Sequence, residues 1–260
     1  MRIQFIKTLL WVIFLFFWVQ CSEKKAIPEY LPPADLNYPS PGFDVEGSDP
    51  LAIVLADRVM SAMGGREAWD KTRYLKWNFF DRHSLLWDKE AAKVRIEIQK
   101  RGQVILLDLT KLTGKVFQQG IELSNPDSVA FYLLKGKKIW MNDSYWLLMP
   151  FKLKDTGVTL TYVKEEVTQS GELSDVLKLT FKDVGATPDN AYWVWVSKDQ
   201  DLIKQWAYFK HFTDSLPQFV SPWDDYKEYG EILLATGRGW RNLTEVAVLS
   251  SVPPHIFISL

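Results

Sequence analysis

The chain has 260 residues, 47% hydrophobic and 24% charged, with a formal net charge of −1 at neutral pH. So even a balance supplies no basic footprint for nucleic acid. A single cysteine, Cys21, leaves no intrachain disulfide and no thiolate metal site, so the fold must stand on its hydrophobic core, which this length is able to bury.

In chain order, Arg2 and Lys7 give a positive start, and an apolar run from Leu9 to Val19 stops at Gln20-Cys21-Ser22. A charged start, a short apolar stretch and an abrupt polar boundary read as an export signal over residues 1–20. The run falls short of the roughly 20 apolar residues that span a bilayer. The lone cysteine at the boundary resembles a bacterial lipoprotein signal, which implies that Cys21 carries the lipid (palmitate among its acyl chains). An uncleaved signal anchor is the alternative. Either way the body is expected in the cell envelope, tethered to a membrane; lipid anchoring points to the outer membrane, on its periplasmic or surface face. Loss of Arg2 and Lys7 with the signal moves the formal charge to −3. Residues 21–48, with Pro28, Pro32, Pro33, Pro39 and Pro41, read as an extended spacer.

The body is expected over 49–260. Asp49-Pro50 is an N-cap followed by proline in the first turn. Leu51, Val54, Leu55, Val59, Ala62 and Met63 then recur at helical steps up to Gly64-Gly65, with a further turn over Arg66–Lys71. From Leu75 the period becomes two, predicting short strands at 75–79, 93–99, 104–109 and 115–119. Asn125-Pro126 opens a second helix expected to reach Lys135 or Gly136, with Lys137–Asn142 either continuing or breaking it. Beyond it, Tyr145–Phe151 reads as an apolar loop able to act as a lid. Strands resume at 158–163, 176–183, 192–197 and 202–212, then at 223–229, 231–234 and 243–249. Short sequential strands with tight turns imply antiparallel pairing. The fold class is therefore mainly β (α+β), a curved antiparallel sheet with helices in its concavity.

No nucleophile elbow, zinc-protease helix, phosphate loop or dinucleotide fingerprint is present in the sequence, and its three histidines lack metal spacing. The chain is read as non-catalytic, without metal or cofactor. Its informative constellation is aromatic. Trp193 and Trp195 lie on a strand joined to that of Trp206 and Tyr208 by the turn at Lys198–Asp201, and hairpin pairing is expected to bring these rings together. Their aliphatic neighbours favour an oily wall for an acyl chain. Plain core and a sugar-stacking platform, the latter hinted at by Trp223-Asp224-Asp225-Tyr226, stay open.

Met63-Gly64-Gly65-x-x-Ala68-Trp69 running into Thr72-Arg73-Tyr74-Leu75, the hairpin from Tyr192 to Trp206, and Trp223-Asp224-Asp225-Tyr226 with Tyr229-Gly230 resemble the lipoprotein-sorting carrier (LolA/LolB-like) superfamily, and more narrowly a family of Bacteroidota lipoproteins. The resemblance implies an unclosed half-barrel cupping the helices, with an apolar cavity for a lipid or lipoprotein acyl chain and no shared catalytic residues. The expected cavity residues are Trp77, Phe79, Trp146, Trp193, Trp195, Trp206 and Tyr208, with Leu75, Val94, Ile96 and Ile98 completing one wall. A glycan-binding surface module and a ligand-free structural envelope protein are the alternatives; the oligomeric state is not legible.

Overall fold

Fourteen strands, most of them alternating at period two, make up the structure, a computed structural model that describes residues 37–182, 184–185 and 189–260. Cys21 and the apolar run before it lie outside the described residues. Residues 37–48, assigned by sequence to the spacer, are instead packed on the body. Phe43 is buried, and the backbone N–H groups of Asp44 and Asp49 donate to the carbonyls of Val158 and Leu160.

Asp49, in extended conformation, and Pro50 start helix α1 (Pro50–Ala62). Gly64 ends it at φ 109°, where a side chain would meet the Glu231 carbonyl at 2.3 Å, so only glycine fits this left-handed turn. Helix α2 (Gly65–Lys71) follows directly.

The first sheet is a meander of β1 (Tyr74–Phe79), β2 (His83–Asp88), β3 (Lys93–Ile98), β4 (Gln103–Asp108), β5 (Thr113–Gln118) and β6 (Ile121–Glu122). The second is β7 (Val158–Val167), β8 (Leu173–Phe181), β9 (Ala191–Ser197), β10 (Ile203–Phe209) and β11 (Phe219–Pro222). A hairpin of β12 (Asp224–Tyr229) and β13 (Ile232–Gly237) then leads to β14 (Thr244–Leu249), which returns to pair with β1. All pairings are antiparallel and the sheets stay unclosed, as an α+β half-barrel requires. Strand β2 had no counterpart among the expected strands, because Leu85-Leu86-Trp87 carries too little alternation to show.

Between the sheets runs α3 (Pro126–Leu148), a continuous helix of 23 residues. It does not end near Lys135, and the expected lid is absent. Tyr145–Leu148 are its last residues and Met149–Lys152 a short 3-10 turn, with Leu147, Leu148 and Met149 fully buried. The glycine that suggested an end, Gly136, is where helix meets sheet. A Cβ there would stand 3.0 Å from the Ile105 side chain and 3.6 Å from that of Ile96. One continuous core joins α1, α2, α3 and the inner faces of both sheets. Leu75, Trp77, Val94 and Ile96 belong to it and are wholly buried.

Candidate functional site

The register of one hairpin decides which rings face inward. Ile203 pairs with Val196 but Gln205 pairs with Trp195, so Lys204 is an extra residue, a bulge in β10. A one-residue offset exchanges the faces of everything beyond it. Trp206 is thus opposite Val194 and Tyr208 opposite Tyr192, all on the inner face, whereas Trp193 is opposite Ala207. The expected meeting of Trp193 and Trp195 with Trp206 and Tyr208 does not occur. Trp193 and Trp195 lie on the outer face of the second sheet, in a small separate cluster with Val176, Ala207 and Phe209. There the Trp195 indole donates to Glu166 (3.1 Å), and Lys164 lies 5.6 Å from the Trp193 ring centre.

The inner rings line a cleft of about 430 Å³ between α3 and the second sheet. Phe181, Tyr192, Trp206, Tyr208 and Phe219 form the sheet side. Lys138, Met141, Asn142, Tyr145 and Trp146 form the helix side, and Val184, Gly185 and Asn190 one end. The helix residues fall at steps of three, one, three and one, a single stripe along α3. The rings are interlocked. Tyr192 stacks on Trp206 (5.2 Å, 5°), Trp146 stacks on Phe219 (5.5 Å, 19°), and Trp146 meets Trp206 edge-on (4.7 Å). Such contacts hold a wall rigid.

Of the expected cavity residues, Trp146, Trp206 and Tyr208 are brought together. Trp77 is sealed in the core, and Phe79 touches Trp146 (6.2 Å) without lining the cleft. Phe181, Tyr192, Phe219, Met141 and Lys138 were missed. Tyr192 was recoverable, since it shares a face with Val194 on an alternating strand. Trp223 and Tyr226 make no sugar platform. Trp223 is wholly buried under Arg238, and the Tyr226 hydroxyl donates to the Ile203 carbonyl (2.8 Å).

Polar groups in the wall are few. Burial pushes the Tyr145 and Tyr192 hydroxyls above the ordinary phenol range. The Tyr145 hydroxyl and the Trp206 indole N–H are buried and find no acceptor among the described residues. Lys138, at the rim, forms no ion pair among them.

Behind the cleft, His83 of β2 lies 2.7 Å from Asp143 of α3, and the Asn142 amide donates to the other Asp143 oxygen (2.9 Å). Burial raises the Asp143 carboxyl, against the opposing pull of His83 and Asn142. Asp143 is the one side-chain hydrogen-bond partner of His83 among the described residues. The pair ties helix to sheet.

At the end of α3, Arg238 is 2% exposed. It donates to the Trp146 and Gly237 carbonyls, and its guanidinium carbon stands 3.5 Å from the Trp223 ring centre. The Trp146 carbonyl belongs to the last turn, where helices leave acceptors free and favour cations. Burial lowers this guanidinium to about 9.

No protein-family model matches the chain, and no curated protein matches it. Three solved structures are similar to it. A DUF1329 family protein from Desulfovibrio piger has 13% identity over 81% of this chain and 98% of that chain, with a TM-score of 0.44. A LolA superfamily protein from Nitrosomonas europaea has 13% identity over 78% and 97%, with a TM-score of 0.39. MucB has 12% identity over 80% and 62%, with a TM-score of 0.24.

Proposed function

We propose that this chain is an envelope protein, lipid-anchored through Cys21, that binds an acyl chain of a lipid or lipoprotein in the cleft between α3 and the second sheet, without catalysis. The cleft carries the reading. Seven aromatic side chains line a space of about 430 Å³, within the range of ligand pockets. At about 30 Å³ per water-sized group, that volume takes roughly fourteen such groups, one chain rather than two. Ten buried methylenes would contribute roughly 8 kcal/mol before the cost of ordering the chain. Resemblance to the carrier superfamily points the same way.

The test is native mass spectrometry with lipid extraction on protein purified from its own envelope. An acyl lipid should co-purify with the wild type and with Trp193→Ser, on the outer face. It should be lost from Phe219→Asp, whose ring is half-buried in the cleft wall, while circular dichroism shows the fold intact. Absence of acyl lipid from the wild type, or equal retention by Phe219→Asp, would sink the proposal.

A further inference from the structure

Helix α3 lies inside the half-barrel, yet one of its faces is open to solvent. Asp127, Ala130, Phe131, Leu134, Lys138 and Asn142 are all exposed and recur at helical spacing. Phe131 is 61% exposed and Leu134 49%. Water is a poor solvent for either side chain, and two of them on one face of a helix are not the scattered exposure of ordinary surfaces.

The apolar groups sit among cations. Lys135, Lys137 and Lys138 follow Leu134 directly, and none of them forms an ion pair among the described residues. At the other end of the helix, Trp240 is 86% exposed, the most exposed large apolar side chain described. Arg241 stands over one face of its ring (4.6 Å to the centre) and also over Phe80 (4.2 Å) and Trp146 (5.3 Å). Burial disfavours the Arg241 charge, and Arg82, beside Phe80 in the β1–β2 turn, adds to this. From Phe131 to Trp146 the helix advances about 22 Å, so these groups form one strip along which the cleft opens.

Charge on the strip is lopsided. Lys135, Lys137, Lys138, Arg82 and Arg241 stand against Asp127 and Asp81, while Asp143 is buried against His83. The whole chain has a formal charge of −1, so this local excess is not a consequence of composition. Lysine is depleted in protein–protein interfaces, which argues against a protein partner. Phenylalanine, leucine and tryptophan flanked by lysine and arginine are what an interfacial helix presents to a bilayer, rings at headgroup depth and cations to anionic lipid.

We infer that the exposed face of α3 and the adjoining Trp240 loop form one surface that docks on an anionic lipid bilayer. The apolar anchors of the surface, Phe131, Leu134 and Trp240, lie off the cleft, while Lys138 and Asn142 belong to both.

An environment-sensitive fluorophore placed on the strip tests this in the full chain. Cys21→Ala removes the native thiol, and Leu134→Cys or Asn242→Cys carries the label. With vesicles of phosphatidylglycerol and phosphatidylcholine both labels should brighten and shift to the blue; with phosphatidylcholine alone they should not. Each basic residue near a charged surface is worth about 1 kcal/mol. Changing Lys135, Lys137 and Lys138 together to Gln should therefore raise the lipid needed for half the response about a hundred-fold. These side chains form no ion pair, so the fold should survive, as circular dichroism checks. Attachment through residues 1–36 alone would leave both labels with their aqueous spectra while the protein sediments with vesicles, and that result would overturn the inference. So would an equal response on neutral vesicles.

Discussion

Arg238 offers the sharpest test of how the cleft is held. The side chain is buried without a carboxylate in ion-pair contact among the described residues, its charge matched by the Trp146 and Gly237 carbonyls and the face of Trp223. Two opposing effects meet at this position. Two charged hydrogen bonds are worth roughly 1.5–3 kcal/mol each, and a desolvated cation over an aromatic ring about 2 kcal/mol more. Against them stands a desolvation cost of several kcal/mol for any buried ion. Arg238→Met removes both sides and keeps most of the volume, so a net loss of about 2 kcal/mol is expected. Arg238→Ala adds a cavity and should lose about 4 kcal/mol. Arg238→Lys keeps the charge without the planar fork and should fall near the methionine variant. Urea denaturation at neutral pH measures all three, and at this chain length 2 kcal/mol corresponds to roughly 4–8 °C in Tm. Because the arginine caps the turn that carries Trp146, acyl-lipid retention should fall in the same order. A methionine variant as stable as the wild type, or more so, would refute the reasoning and mark the guanidinium as a net liability.

Asp88 governs part of the acid stability. Burial alone would raise its carboxyl, but two hydrogen bonds from Arg73 (3.1 and 3.0 Å) and one from the Ala91 N–H hold it below the ordinary value. A carboxyl depressed by folding contributes stability above its unfolded pKa, lost as pH falls through the folded one. Asp88→Asn should therefore cost about 1–2 kcal/mol at pH 7, the partly exposed Arg73 limiting the value. The gap between wild type and variant in urea midpoint should close below about pH 4. Gly136→Leu forces a side chain into the 3.0 Å approach of α3 to Ile105; overpacking of this kind costs about 1–3 kcal/mol, read as a lower midpoint. Asn125 accepts from the Ser128 N–H (2.9 Å) at the start of α3. Asn125→Ala should cost about 1 kcal/mol, with amide exchange quickened in the first turn and unchanged around Trp146.

Local rules settled much of this molecule. Asp49-Pro50 and Asn125-Pro126 start helices because the fixed φ of proline, joined at Asn125 by a side-chain cap, acts within one turn. The strands with alternating faces, such as Val94-Arg95-Ile96, are equally local, because burial on one side imposes period two. The choice of inner-face rings was not local. The bulge at Lys204 lies in a strand paired on both sides, and it sends Trp193 and Trp195 outward while Trp206 and Tyr208 face in. Likewise Lys135-Gly136-Lys137 looks like a helix end, and only the sheet beneath reveals Gly136 as a point of close approach that lets α3 continue to Leu148. The sequence by itself determined where the helices start, which alternating segments are strands and that the aromatic residues must find apolar surroundings, since those follow from local caps, periodicity and transfer out of water. Only the tertiary structure decided which rings share a cleft, because strand register and the contact of helix with sheet depend on residues far apart in the chain.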